Sequence, residues 1–247
     1  METPVKKTVR QLSIPCYDTD SSHFMKPAAF MDLAQEIANV SADSLGFGFE
    51  DLQRYGLAWI LSRMHIDFLA MPRWKDRVEM QTWHKGFDGP FYLRDYRMLD
   101  ADGKLLVQAT SSWLVLDMDT RRLLRREHLA EKLPLDTRYP ESAVDEPCGK
   151  VLMPSSGVLE ECAEHVVSYS DIDFVGHTNN ARYVVWALDC LDYEEVSGRR
   201  VRCLRVNFNK ETRAGETVEL FRTRVGGGWC VEGRVGGKSS FCAEILF

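Results

Sequence analysis

Apolar positions recur with two different periods along the chain, and the places where the period changes mark its elements. In "PAAFMDLAQEIANVSADSLGF", Phe30, Leu33, Ala34, Ile37, Ala38 and Ser41 fall at helical spacing, with Pro27 suited to a first turn. The spacing predicts a helix beginning near residue 27. After Gly56 the period drops from 3.6 to 2: "AWILSRMHIDFLA" sets Ile60, Met64, Ile66 and Phe68 on one face and Arg63, His65 and Asp67 on the other. "DRVEMQTWHKG", "PFYLRDYRMLD" and "KLLVQATSSWLVLD" continue as strands, the last two joined by a turn at "ADGK". One helix followed by an antiparallel meander is an α+β unit.

From Met118 to about Glu161 the texture changes to charged residues and then to Pro and Ser, which predicts a short helix and a linker. Beyond it the first pattern returns. Tyr183, Val184, Ala187, Leu188 and Leu191 lie at helical spacing, and Trp186 and Cys190 widen the apolar face until the helix is apolar nearly all round, the mark of a buried helix. "RVRCLRVNFNKE", "ETVELFRTRV", "WCVEGRV" and "SSFCAEILF" supply four strands, with turns at "VGGGW" and "VGGKS". The letters repeat as well as the pattern: "YDTDSSHFMKPAAFMDL" parallels "YSDIDFVGHTNNARYVV", and "DRVEM" parallels "ETVEL". A helix wrapped by an antiparallel sheet, present twice, predicts a tandem (double) hot-dog fold. Its expected division is an N-terminal domain over 1–117, a linker over 118–161 and a C-terminal domain over 162–247.

Charge and cysteine content narrow the class. Lys and Arg number 31 against 37 Asp and Glu, so a nucleic-acid binder working by phosphate neutralisation is not expected. The seven cysteines form no CxxC pair, which argues for reduced core thiols rather than a disulfide framework or a structural zinc site. Neither an apolar leader core nor an apolar run near the ~18 residues of a membrane span is present, so a soluble, untargeted, cytoplasmic protein is expected.

Candidate chemistry gathers at the entrance of the second helix, where "SDIDFVGHTNN" carries Asp171, Asp173, His177, Asn179 and Asn180. Free N–H groups at a helix start favour a developing oxyanion, so reactive groups there could work on a carbonyl while apolar surroundings house a greasy tail. The same Asp and Asn serve equally well as caps. Leu204, Val206 and Phe208 share a strand face that leaves Glu211 near the strand end, where it is expected to face His177 across a gap of one water. A carboxylate and an imidazole so placed make a general acid/base pair, worth about 10²- to 10⁴-fold in rate.

The chain resembles the acyl-ACP thioesterases, the plant Fat-type enzymes and their bacterial relatives, over nearly its whole length. The likeness lies in "LAQEIANVSADSLGFG", "GLAWILSRMHIDF" and "PRWKDRVEMQTW", then in "SDIDFVGHTNNARYVVWALD" and the stretch around "FNKE". It implies hydrolysis of the thioester between a fatty acyl chain and acyl carrier protein (ACP), with Asp173, His177 and Glu211 as the functional residues. Asn179 and Asn180 are expected at the substrate, and Trp59 and Met64, with Phe68 and Met71, are either core or acyl-pocket wall. One departure is Val175, which stands where the family usually has Asn and offers no side-chain hydrogen bond. Thr212 stands where plant relatives often have Cys, so no thiol nucleophile is expected there. Because a thiolate leaves readily, a positioned water, a base and an oxyanion site suffice, and neither a cofactor nor a metal is expected. Glu211 is assigned as general base, His177 as positioning group or proton donor, and Asp173 as orienter; the competing assignment makes Asp173 the base.

"VGGKSS" lacks the first Gly of a phosphate loop and precedes a strand, so it reads as a turn. GxSxG and HExxH are absent. Arg121, Arg122, Arg125 and Arg126 in "RRLLRREH" are either a solvated linker face or a patch steering acidic ACP. The first copy keeps Asp20 but lacks the following Gly-His-x-Asn-Asn, and reads as a half without catalytic residues, with His23 on a loop. Two rivals share the fold: an acyl-CoA thioesterase, and a noncatalytic acyl-binding protein. Tandem copies meet the pairing need of a single hot-dog domain within one chain, and a homodimer is a further expectation.

Overall fold

The structure is a computed structural model and describes residues 7–124, 126–130 and 137–247. The first half runs β1 (Thr8–Ser13), α1 (Pro27–Ser44), α2 (Phe49–Gln53), β2 (Leu57–Phe68), β3 (Arg77–Asp88), β4 (Phe91–Asp100) and β5 (Leu105–Asp117). A connecting segment carries α3 (Arg126–Ala130). The second half follows as β6 (Glu160–Val166), α4 (Asn180–Asp189), α5 (Tyr193–Gly198), β7 (Cys203–Phe208), β8 (Thr217–Val225), β9 (Gly228–Val235) and β10 (Lys238–Leu246).

Helix α1 begins at Pro27, whose missing N–H costs nothing in a first turn, and buries Phe30, Ala34, Ile37, Ala38 and Ser41. Helix α4 buries Ala181, Tyr183, Val184, Trp186 and Ala187. Both faces, with one side of the sheet, form a single apolar core spanning the two halves. All strands belong to one ten-stranded antiparallel sheet in the order β1-β3-β4-β5-β2-β7-β10-β9-β8-β6. Outward from the β2/β7 seam, β2-β5-β4-β3-β1 on one side matches β7-β10-β9-β8-β6 on the other. This is the double hot-dog arrangement.

The structure corrects three local expectations. Strands β3, β4 and β5 form a meander, but β2 lies beyond β5 and pairs with β5 and β7. Alternation reveals a strand without revealing its partner. In β2 a bulge between Leu61 and Arg63 shifts the alternation by one residue, so the buried positions are Leu57 and Leu61 before it and Met64, Ile66 and Phe68 after. Ile60 therefore does not share the face of Met64. Finally, β1 and β6 are strands that the periodicity does not predict, and β6 begins inside the segment expected to be linker. Both are edge strands with mostly exposed side chains, so neither carries a period.

Residues 141–151 strap across the outer side of the sheet. The Trp83 indole and Arg97 donate to the Glu141 and Ser142 carbonyls, and the buried Asp95 carboxylate accepts from the Ala143 N–H. Arg63 then donates to the Cys148 carbonyl, and Asn207 bonds both backbone groups of Val151. Among the described residues, no helix is long and apolar enough to cross a membrane.

Candidate active site

The loop entering α4 is built by one carboxylate. Asp173 Oδ1 accepts the backbone N–H groups of Val175 at 2.9 Å and His177 at 3.2 Å, while the Asp173 N–H donates to the His177 carbonyl at 2.8 Å. Closing so tight a loop needs a left-handed residue at its tip, and Gly176 takes it at φ 84°. Val175 enters through its backbone alone, its side chain standing half-exposed, so the loop closes without the Asn usual at that position. Phe174 packs edge-on against Phe49 of α2 with ring centroids 5.2 Å apart.

Asn179 is the N-cap of α4: its Oδ1 accepts the Ala181 N–H at 2.8 Å. That bond takes one of the first-turn donors counted on for an oxyanion site. Gln35 of α1 reaches across to both asparagines, donating to Asn179 Oδ1 at 3.2 Å and accepting from Asn180 Nδ2 at 3.0 Å. The two halves are thus bolted together at the mouth of the second helix.

His177 and Glu211 meet as expected, but in direct contact rather than across a water. His177 Nε2 lies 3.3 Å from Glu211 Oε2. The other carboxylate oxygen, Oε1, accepts Nη2 of both Arg121 and Arg213 at 2.9 Å. Partial burial works against the Glu211 charge, but the Arg213 hydrogen bond and the charges of His177, Arg121 and Arg213 outweigh it and hold the carboxyl below its usual value. A carboxylate with both oxygens engaged is a weak proton acceptor, which tells against Glu211 as the base. The arrangement suits a carboxylate that orients an imidazole and stabilises its protonated form.

A buried hydroxyl network sets the spacing of this pair. Thr178 follows His177 and Thr212 follows Glu211. Their hydroxyls are 2.7 Å apart, and the Tyr183 hydroxyl, 3.0 Å from Thr212 Oγ1, also accepts the Thr212 N–H at 3.0 Å. Thr212 is fully buried and serves as a brace.

The proposed pocket residues separate. Trp59, its indole N–H bonded to the Phe47 carbonyl at 2.9 Å, lines a small cavity of about 60 Å³ together with Ala38, Ala42, Tyr92 and Trp113. Met64 is 2 % exposed, lies in the central core and does not line that cavity. On α1 the lining residues Ala38 and Ala42 sit one to two turns beyond Gln35, about 5–10 Å along the axis, so the cavity neighbours the α4 entrance.

Arg121, Arg213, Gln35 and the hydroxyl network were not anticipated at the site. Arg213, two residues after Glu211, and Gln35, a polar residue within an apolar helix stretch, were the available signals. Arg121, expected on either a solvated linker face or an ACP-steering patch, instead donates to Glu211. Arg126 lies 3.8 Å over the Phe87 ring, and Arg125 is outside the described residues. The described residues offer one cluster able to hold a metal, His65, Asp67 and Cys203, with donor atoms within 4.8 Å. It lies at the far end of β7 from Glu211, and His65 already holds Asp67 at 2.9 Å.

Comparison with known proteins agrees with this architecture. Residues 5–129 match the acyl-ACP thioesterase N-terminal domain, and residues 159–234 match the C-terminal domain. An oleoyl-acyl carrier protein thioesterase of Coriandrum sativum is 27 % identical over 83 % of this chain, and an Arabidopsis thaliana counterpart 28 % over 78 %. The aligned region covers only 59 % and 56 % of those relatives. Among solved structures, an acyl-ACP thioesterase from Bacteroides thetaiotaomicron superposes with a TM-score of 0.83 at 24 % identity, covering 98 % of this chain and 97 % of that one. The 12:0-ACP thioesterase from Umbellularia californica gives 0.84 at 20 % identity, covering 97 % and 96 %, so the fold is shared across the full length. With both domain models matched in order, this chain belongs to the acyl-ACP thioesterase family.

Proposed function

We propose that this protein hydrolyses the thioester of fatty acyl-ACP to free fatty acid and holo-ACP, as a step of fatty acid biosynthesis. The observation that carries the reading is the His177–Glu211 contact of 3.3 Å, braced at the entrance of a buried helix and near a small cavity that α1 also lines. In this scheme His177 takes a proton from water as the water oxygen adds to the thioester carbonyl. Glu211, fixed by Arg121 and Arg213, stabilises the imidazolium that results. The C–S bond then breaks, and His177 returns the proton to the leaving thiolate. Asp173 holds the loop that presents His177. A groove beside Asp173, bordered by Tyr169, Phe174 and Ala214, gives the carrier arm a path to the carbonyl. A reducing, cytoplasmic setting is part of the same proposal, in keeping with seven free cysteines.

The test is thiol release from acyl-ACPs of increasing chain length, run beside the matching CoA esters. Release from ACP esters with a kcat/KM above that on CoA esters is expected. A preference for CoA esters would transfer the assignment to an acyl-CoA thioesterase. Acyl binding without thiol release would make the protein a noncatalytic binder.

A further inference from the structure

The helix-facing side of β3 and β4 starts apolar, with Val78, Met80 and Met98 in the main core, and turns polar where it reaches the cavity. There His84 lies opposite Arg94 in the strand register, with Tyr92 two residues along. Arg94 is 7 % exposed, yet among the described residues it makes no ion pair, and its one side-chain bond is a long contact of 3.3 Å to Thr82 Oγ1. Its sequence neighbour Asp95 is committed to the opposite side of the sheet, where it accepts the Ala143 N–H and lies 3.6 Å from Lys85. The Tyr92 hydroxyl is also buried and has no hydrogen-bond partner among the described residues.

His84 does not balance this charge. Its ring nitrogens are taken by Thr137 at 3.1 Å and the Gly86 carbonyl at 3.0 Å. Burial, helped by Arg94, pushes its pKa down to about 4, so it is neutral near pH 7. Among the described residues, Arg126 and Arg138 add positive charge around His84, and the one acid acting on Tyr92 is Glu127. Thr137 is committed to His84, and Asn39, the remaining polar residue of the lining, bonds neither Arg94 nor Tyr92, so among the described residues the cavity wall offers a guanidinium with five donors and a phenol that are short of acceptors.

A plain hydrocarbon end seated here would complete the desolvation of a cation and a hydroxyl and give neither a partner. An oxygen at that end would satisfy both. The space of about 60 Å³ holds only about four or five waters, so it receives the tip of a chain and not its length. We infer that the preferred acyl groups carry an oxygen function, a carboxylate or a hydroxyl, at the end remote from the thioester, bound by Arg94 and Tyr92. This rests on the proposed thioesterase reading and names its substrate class.

The experiment measures thiol release from acyl-ACPs of equal chain length whose far end is methyl, hydroxymethyl or carboxyl. At least one oxygenated chain should exceed the methyl-ended chain by about tenfold or more in kcat/KM. That ratio should fall about tenfold in Arg94→Met and by a smaller factor in Tyr92→Phe, the conservative variant that guards against misfolding. Equal or better use of the methyl-ended chain by the wild type, or a ratio unchanged in both variants, would overturn the inference. Calorimetry with non-hydrolysable amide analogues of the three acyl groups on pantetheine reads the same preference without chemistry. Binding with that order but no thiol release sinks the hydrolase reading and supports the cavity assignment. Hydrolysis indifferent to the far end sinks the assignment alone.

Discussion

The loop before α1 and the loop before α4 share a backbone and differ in chemistry. In the first, Asp20 Oδ1 accepts the N–H groups of Ser22 and Phe24 at 2.8 and 2.9 Å, as Asp173 does for Val175 and His177. His23 takes the left-handed tip at φ 68° where the second loop has Gly176. The strand-end contacts repeat too: the Met25 N–H bonds the Pro72 carbonyl as the Thr178 N–H bonds that of Thr212. At equivalent positions the first half has Phe24 and Met71, and the second has His177 and Glu211. The carboxylate that shapes each loop is thus common to both halves, while the His177–Glu211 pair stands in one copy. A shared Asp can be architectural in both halves even where only one has a His–Glu pair beside it.

The comparison can be broken most severely by writing the first half's residues into the second. His177→Phe combined with Glu211→Met should lower kcat about 10²- to 10⁴-fold while leaving the melting temperature within a few degrees, since the scaffold already carries that pair once. Collapse of the fold in that variant would show that the two loops are not interchangeable. A second contrast is acid sensitivity. His84, in the first half, has a folded pKa of about 4 against an ordinary 6.5, so the unfolded chain binds more protons between those values. Stability should fall by about 3 kcal/mol as pH drops through that window, and His84→Gln should flatten the curve measured by denaturant melts. Glu211, in the second half, acts lower: its folded pKa is depressed, so its contribution is present above about pH 4.5 and fades as pH falls through the folded value. The smallest effect sharpens the likeness itself. Asp20→Ala and Asp173→Ala should each cost about 1–3 kcal/mol, because each removes the acceptor of two backbone N–H groups. Only Asp173→Ala should reduce kcat.

Much of this was legible in the letters because it depends on periods and repeats. Helix α1 announced itself through Pro27 and the Phe30-to-Ser41 stripe, and the duplication through the paired loop sequences. The meeting of His177 and Glu211 was also readable, because the strand carrying Glu211 must lie beside the helix that His177 precedes. What was hidden depends on contacts between distant segments. Nothing local marks Arg121 as a partner of Glu211, since the contact spans 90 residues. The bulge at Ser62 moved Ile60 off its expected face, because one inserted residue inverts the parity on which the reading rests. Met64 illustrates a related blind spot: core and pocket wall make the same demand for an apolar side chain, and only the position of α1 decides between them.

Mirrored strand order has one further outcome. A sheet that does not close ends in two open rims, here β1 and β6, each a row of backbone groups able to recruit another chain. Strand β6 carries Glu160, Glu161 and Glu164, so two copies meeting rim to rim there would set like charges against each other. The acidic side chains of that strand disfavour pairing of two copies through this rim.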